Sequence, residues 1–334
     1  MTTRASKAVG IIALSTLCAA IYVLPAAAES GYSLVKTISL PGAKAGPGDW
    51  VSFDPQTNTV WLSQSPDHNV VVIDASTKTV KGVVPGIKDG NGIAVTPQFT
   101  FVADAGSNNV VVVDNKSLKI VATLKPRGKT PDGVAYAWKA DRVFVTCDDS
   151  NDMSVFSGKP PFAQVARIAL EPNPDKDGPD VPTYVGAKDR IYQPVHNVID
   201  VIDPATNAIT IIWRPEVKGD IKPAVYDSRT NHLLMGTTDH KMLVLDADSG
   251  AVVAWIPLAG SVDETAIDEP VRRAYAGDKA GNIEVIDLDT NRVVDILPSE
   301  KNVHTVAVDA TTHEIYVYRG ESNRVDVFRK KAAS

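Results

Sequence analysis

Between residues 34 and 329 the apolar positions come in short runs, each closed by polar punctuation. The stretch "SNNVVVVDNKSLKIVATL" (107–124) shows the pattern: a β-branched run, a turn at Asp-Asn-Lys-Ser, and a second β-branched run. Variants of the same phrase begin at His68, Asn197, Lys241 and Asn282. One complete unit reads "GIAVT" (92–96), "FTFVAD" (99–104), "NVVVVD" (109–114) and "KIVATL" (119–124). Val, Ile and aromatic residues fit a pleated, half-buried surface, and Gly, Pro, Asn and Asp supply turns. No stretch keeps a helical apolar period for three turns, which excludes an α/β chain.

The run equivalent to "VVVVD" ends at Asp74, Asp114, Ser157, Asp203, Asp246, Asp287 and Arg329, at intervals of 40, 43, 46, 43, 41 and 42 residues. Four short strands every forty-odd residues is the period of a β-propeller blade. An open stack of such units would leave an unpaired edge. The ends of the chain offer the remedy. The last unit supplies three strands, "VHTVAVD", "EIYVY" and "RVDVF", and the fourth stands at the start, where "LVKTISLPG" (34–42) copies the outer strands "IVATLKP" and "VVDILPS". The expected fold is all-β: a seven-bladed β-propeller of four-stranded blades, closed by the N-terminal strand completing the last blade.

"NNVVVVDNKSLKIVATL", with "FVADAGSNNV" before it and "PDGVAYAWKADRVFVTCD" after it, resembles the YVTN-repeat, YncE-like β-propellers. The resemblance runs over residues 32–329. The name-giving tetrapeptide is replaced by "FVAD", "FVTC" or "IYVY". It implies the propeller architecture and, because such propellers serve many roles, no single activity.

In a propeller the residues just before each inner strand ring the mouth of the central channel. Aligning "GDWVSFD", "GNGIAVT", "PDGVAYA", "IKPAVYD", "DETAID" and "VHTVAVD" puts Asp49, Asn91, Asp132, Lys222, Glu264 and His304 in that ring. Blade four contributes Val181, flanked by Asp180 and Thr183. Convergent polar groups in a concavity are the default ligand site, against a local role for Asn and Asp in satisfying turn amides. Asp104, Asp148, Asp239, Asp278 and Arg319 end the second strands and read as an outer tier on the same face. His68, His196 and His240 fall in loops there too, at spacings with no metal-motif regularity. The insertion "LEPNPDKDGPDVP" (170–182) reads as a lid over the mouth or as a tolerated surface loop.

Composition adds boundaries. Residues 1–28 have the layout of a secretory signal peptide: Arg4 and Lys7, an apolar run to Leu24, and Ala26-Ala27-Ala28 at the cleavage site. Cleavage before Glu29 would leave residues 29–334 as one propeller domain, periplasmic or secreted, with no transmembrane segment, and a monomer is expected. It would also leave 32 basic against 40 acidic residues, a net charge of −8. Cys147 would then be the only cysteine, so the core must hold the fold without a disulfide, and "FVTCD" reads as a packed thiol.

Three functions follow. The first is a binding or scaffold protein that recognises a small ligand or a protein partner at the channel mouth. The second is a divalent-metal-dependent, lactonase-like hydrolase: "DGNGIAVT" and "TPDGVAY" are similar to the inner-strand starts of gluconolactonase-like propellers. That resemblance implies a divalent cation on Asn91 and Asp132, with Asp49 standing where a glutamate is expected, polarising an ester carbonyl and activating water. The oxygen-ligand chemistry of a hard cation such as Ca²⁺ takes in Asp49, Asn91, Asp132 and Glu264. The third is nucleic-acid binding, which the basic loop residues favour and the acidic net charge opposes.

Overall fold

The computed structural model describes residues 30–42, 44–46, 48–173 and 178–331. The leader expected at residues 1–28 lies outside the described residues. The described chain forms 28 strands, numbered in chain order, in seven antiparallel sheets of four. Blade one runs from β2 (Val51–Asp54) to β5 (Thr79–Pro85), and blade two from β6 (Gly90–Val95) to β9 (Lys119–Leu124). Blade three spans β10 (Pro131–Ala137) to β13 (Gln164–Ala169), and blade four β14 (Thr183–Val185) to β17 (Ala208–Trp213). Blade five spans β18 (Ile221–Asp227) to β21 (Val252–Pro257), and blade six β22 (Val262–Asp268) to β25 (Arg292–Pro298). Blade seven joins β26 (Val306–Asp309), β27 (Glu314–Arg319) and β28 (Arg324–Lys330) to β1 (Tyr32–Ser39). Each inner strand touches the inner strand of the next blade, β26 included against β2, so the blades close into a seven-bladed propeller.

The closing strand takes the place expected of it. Strand β1 pairs antiparallel with β28, from Tyr32 opposite Lys330 to Ser39 opposite Arg324, with one bulge between Leu34 and Lys36. Thr37 Oγ1 donates to Asp326 at 2.7 Å, and the Tyr32 ring stands edge-on to Tyr275 in blade six, 5.9 Å between centroids.

The seven hydrophobic clusters of the described residues lie between blades, one at each interface. The seventh interface is as apolar as the others: Ile38 and Val325 of blade seven pack with Val51, Val60 and Val71 of blade one. The repeated polar residues have local work. Asp74, Asp114, Asp246 and Asp287 each accept the amide of the Ser or Thr three positions on, which fixes the turn into the outer strand. Two polar contacts between blades tie the ring further. Arg272 grips Asp227 of the preceding blade with two bonds of 2.6 Å, and the His313 ring meets Asp268 at 2.9 Å. Cys147 is buried, and burial pushes its thiol up to about 12, so it stays unreactive at neutral pH.

Candidate functional site

The mouth is built from a backbone irregularity repeated around the ring. In β6 the ladder pairs Gly90 with Asp104 and then Ile93 with Val102, so Asn91 and Gly92 together face one residue. Strand β10 does the same at Asp132-Gly133, β18 at Lys222-Pro223 and β22 at Asp263-Glu264. Such bulges re-aim a side chain out of the sheet. Their unpaired amides find other partners. Thr146 Oγ1 accepts from Gly133 N at 2.7 Å, Ser63 Oγ accepts from Trp50 N at 2.9 Å, and Glu264 N donates to His304 O at 3.0 Å. These three amides at the mouth are therefore satisfied, as buried backbone must be.

This register changes two assignments. Counting back from Thr183 opposite Tyr192, blade four places Asp180 at the position of Asn91 and Asp132, with Val181 one step behind it. In blade six the equivalent residue is Asp263, and Glu264 takes the place of Gly92 and Gly133. The ring is thus Asp49, Asn91, Asp132, Asp180, Lys222, Asp263 and His304, polar at every position.

Asp49, Asp132, Lys222 and Glu264 line one cavity of about 170 Å³, together with Asp148, Asp180 and Asp263. Asn91 adjoins it, donating Nδ2–H to Asp132 at 2.6 Å. His304 faces a neighbouring cavity with Lys279, Lys301 and Tyr318, and its Nδ1–H donates to Asn302 O at 2.6 Å. Lys222 sits between two carboxylates, 2.7 Å from Asp180 and 3.0 Å from Asp263, and Lys279 reaches Asp263 from the other side at 3.1 Å.

The charges do not balance. Asp263 has two lysines, which outweigh its burial and hold its carboxyl well below the usual range. Burial opposes the charge on Lys222, but Asp180 and Asp263 outweigh it and raise the ammonium's proton affinity. Asp180 is raised by burial, with Lys222 working against the shift. Among the described residues the other three aspartates have no paired cation. Burial, with Asp263 and Asp180 nearby, lifts Asp49 to about 7. Burial and Asp49 lift Asp132 well above the carboxylate range, and burial with Asp132 lifts Asp148 to about 9. Asp148 Oδ1 is buried and has no hydrogen-bond partner among the described residues.

Of the outer tier, Asp148 alone lines this cavity. Asp104 accepts the amide of Asp89 in the loop entering β6, Asp278 accepts the amide of Gly281 in its own loop, Asp239 pairs with Lys241, and Arg319 pairs with Asp326. His68, His196 and His240 hold left-handed turn positions (φ 56°, 53° and 64°), where blades two and three have Asn108 and Asn151. The His68 and His196 rings bond into their own loops, to Lys88 O and Asp220. Residues 174–177 of the insertion lie outside the described residues, and its returning end delivers Asp180 to the wall.

The proposed cation ligands do not fit a metal as arranged. Glu264, buried, accepts the amide of Val306 at 3.1 Å, and Asn91 presents its NH₂ rather than its oxygen to Asp132. Among the described residues no group of three or more His, Cys, Asp and Glu side chains is set to hold a metal ion.

No protein family's sequence profile matches the chain. Over 117 residues it is 29% identical to proteins described as "Uncharacterized protein YncE" from Salmonella typhi and from Salmonella typhimurium strain LT2, which covers 31% of this chain and 33% of each relative. The match thus spans about a third of the relatives' length. Among solved structures, the chain superimposes on one in "Kuenenia stuttgartiensis Hydrazine Synthase" with a TM-score of 0.76 at 17% identity, covering 87% of this chain and 97% of that one. It superimposes on one in "Crystal Structure of Mitotic Checkpoint Complex" with a TM-score of 0.77 at 12% identity, covering 96% and 98%. These likenesses share the fold, and the sequence match supports a YncE-like propeller. Among the described residues no helix is long and apolar enough to cross a membrane.

Proposed function

We propose that the protein is a binding propeller whose channel mouth takes a small ligand bearing a primary ammonium group. The observation that carries this reading is the charge imbalance of the cavity: Asp49, Asp132 and Asp148, each half-buried, share a wall whose single lysine is already held by Asp180 and Asp263. An ammonium group brings the missing positive charge and three N–H donors for carboxylate oxygens, Asp148 Oδ1 among them. The same wall repels a phosphate backbone, so nucleic acid is a poor occupant. From the leader-like residues 1–28 we take the protein to be exported, which requires that chains recovered from the periplasm begin at Glu29.

Binding couples to protons. The ligand favours the ionised carboxylates, and Asp49 and Asp148 hold protons up to about 7 and about 9 in the empty cavity. Calorimetry with a series of short primary amines should show binding with proton release, weakening as pH falls through about 9 and again through about 7, and about tenfold weaker in Asp132→Asn. Failure of every primary amine to bind, or an undiminished Asp132→Asn, would overturn the assignment.

A further inference from the structure

The other end of the channel is built differently. A cavity of about 450 Å³ lies at the C-terminal ends of the inner strands, separated from the mouth by Trp50, Pro223 and Glu264, which line both. Five of its 22 lining residues are aromatic (Trp50, Phe53, Tyr136, Trp138 and Tyr184) in a chain that is 6% aromatic. These rings are held in place. Tyr136 and Tyr184 donate their hydroxyls to Asp141 and Asp189 at 2.9 and 2.7 Å, which leaves their ring surfaces to the cavity. Trp138 stands edge-on to Tyr184, 4.6 Å between centroids, yet remains 55% exposed. It fits only because residue 186 is glycine: a Cβ there would lie 1.8 Å from the Trp138 ring.

The wall also has a sign. Among the described residues lining it there is no Lys, Arg or His, and the two acids are Asp54 and Glu264, of which burial holds the Glu264 carboxyl well above the usual range. Aromatic faces add negative electrostatic potential. Both carboxylates are engaged, Asp54 by the amides of Gln56 and Thr57 and Glu264 by the amide of Val306. A primary ammonium would find no free carboxylate here to replace its water, whereas a quaternary one has no N–H to satisfy. We propose that this cavity is a second binding site, independent of the mouth, for a small N-alkylated organic cation carrying an aromatic ring.

Phenyltrimethylammonium is the probe, with N,N-dimethylaniline, neutral at pH 7.5, as its uncharged counterpart. Titration calorimetry should show the cation binding about tenfold tighter than the neutral amine. Trp138→Ala removes the exposed ring, and Gly186→Ala displaces it without touching a core residue. Each should weaken the cation about tenfold while circular dichroism and thermal melting report an intact ring, and Asp132→Asn should leave this affinity unchanged. No binding of the cation overturns the proposal. So does equal affinity for the neutral amine, which would mark a merely apolar pocket. Loss in Asp132→Asn with retention in Trp138→Ala would assign the probe to the mouth instead.

Discussion

Asp132 is the residue at which binding and stability pull apart. In the folded ring it shares a half-buried cavity wall with Asp49 and Asp148, and all three hold their protons well above the ordinary carboxylate value of about 3.9. The folded state therefore keeps protons that the unfolded chain has released, and stability falls as pH rises from about 4 to the folded values near 7 and 9. Asp132→Asn keeps an oxygen for Asn91 and removes one of the crowded charges. It should stabilise the protein by on the order of 1 kcal/mol at pH 8 and by little at pH 4. Chemical denaturation at the two pH values checks the sign, and an equal or reversed effect would mean that the carboxylates are not coupled as described.

At the scale of the element, the bulge decides which side chains reach the channel. Gly133 is required there by a close approach, since a Cβ would lie 2.5 Å from the Cα of Val181 in the next blade. Gly133→Ala should cost about 2 kcal/mol in denaturant unfolding, and a neutral result would contradict the tight contact between β10 and the chain entering β14. The bulge also explains what could be read in advance. Asn91-Gly92, Asp132-Gly133 and Lys222-Pro223 carry a turn residue behind the ring position, so their phase is visible in the sequence. Asp180-Val181 and Asp263-Glu264 carry none, and the reading slipped by one residue in both blades. What sets their phase is the cross-strand ladder to Tyr192 and Asp278, which leaves no mark on the local sequence. The blade period and the closing strand were legible because every blade repeats them. The aromatic cavity was not, because its rings come from separate blades at positions with no common spacing.

For the whole molecule, stability resides between blades, and the interface that joins the chain's ends is one of seven. Ile38 is buried in that interface, at 4% exposure, while Leu34 on the same strand is 54% exposed. Ile38→Ala should therefore cost about 3 kcal/mol and Leu34→Ala close to nothing, read as denaturation midpoints. Equal costs would mean that β1 lies on the ring without sealing it. The seal also brings the described ends together, with Lys331 N donating to Gly31 O at 2.8 Å. A polypeptide whose ends meet in this way has no privileged origin: a short peptide link there would let the break be moved to another rim turn, and the same circle would form from a differently ordered message.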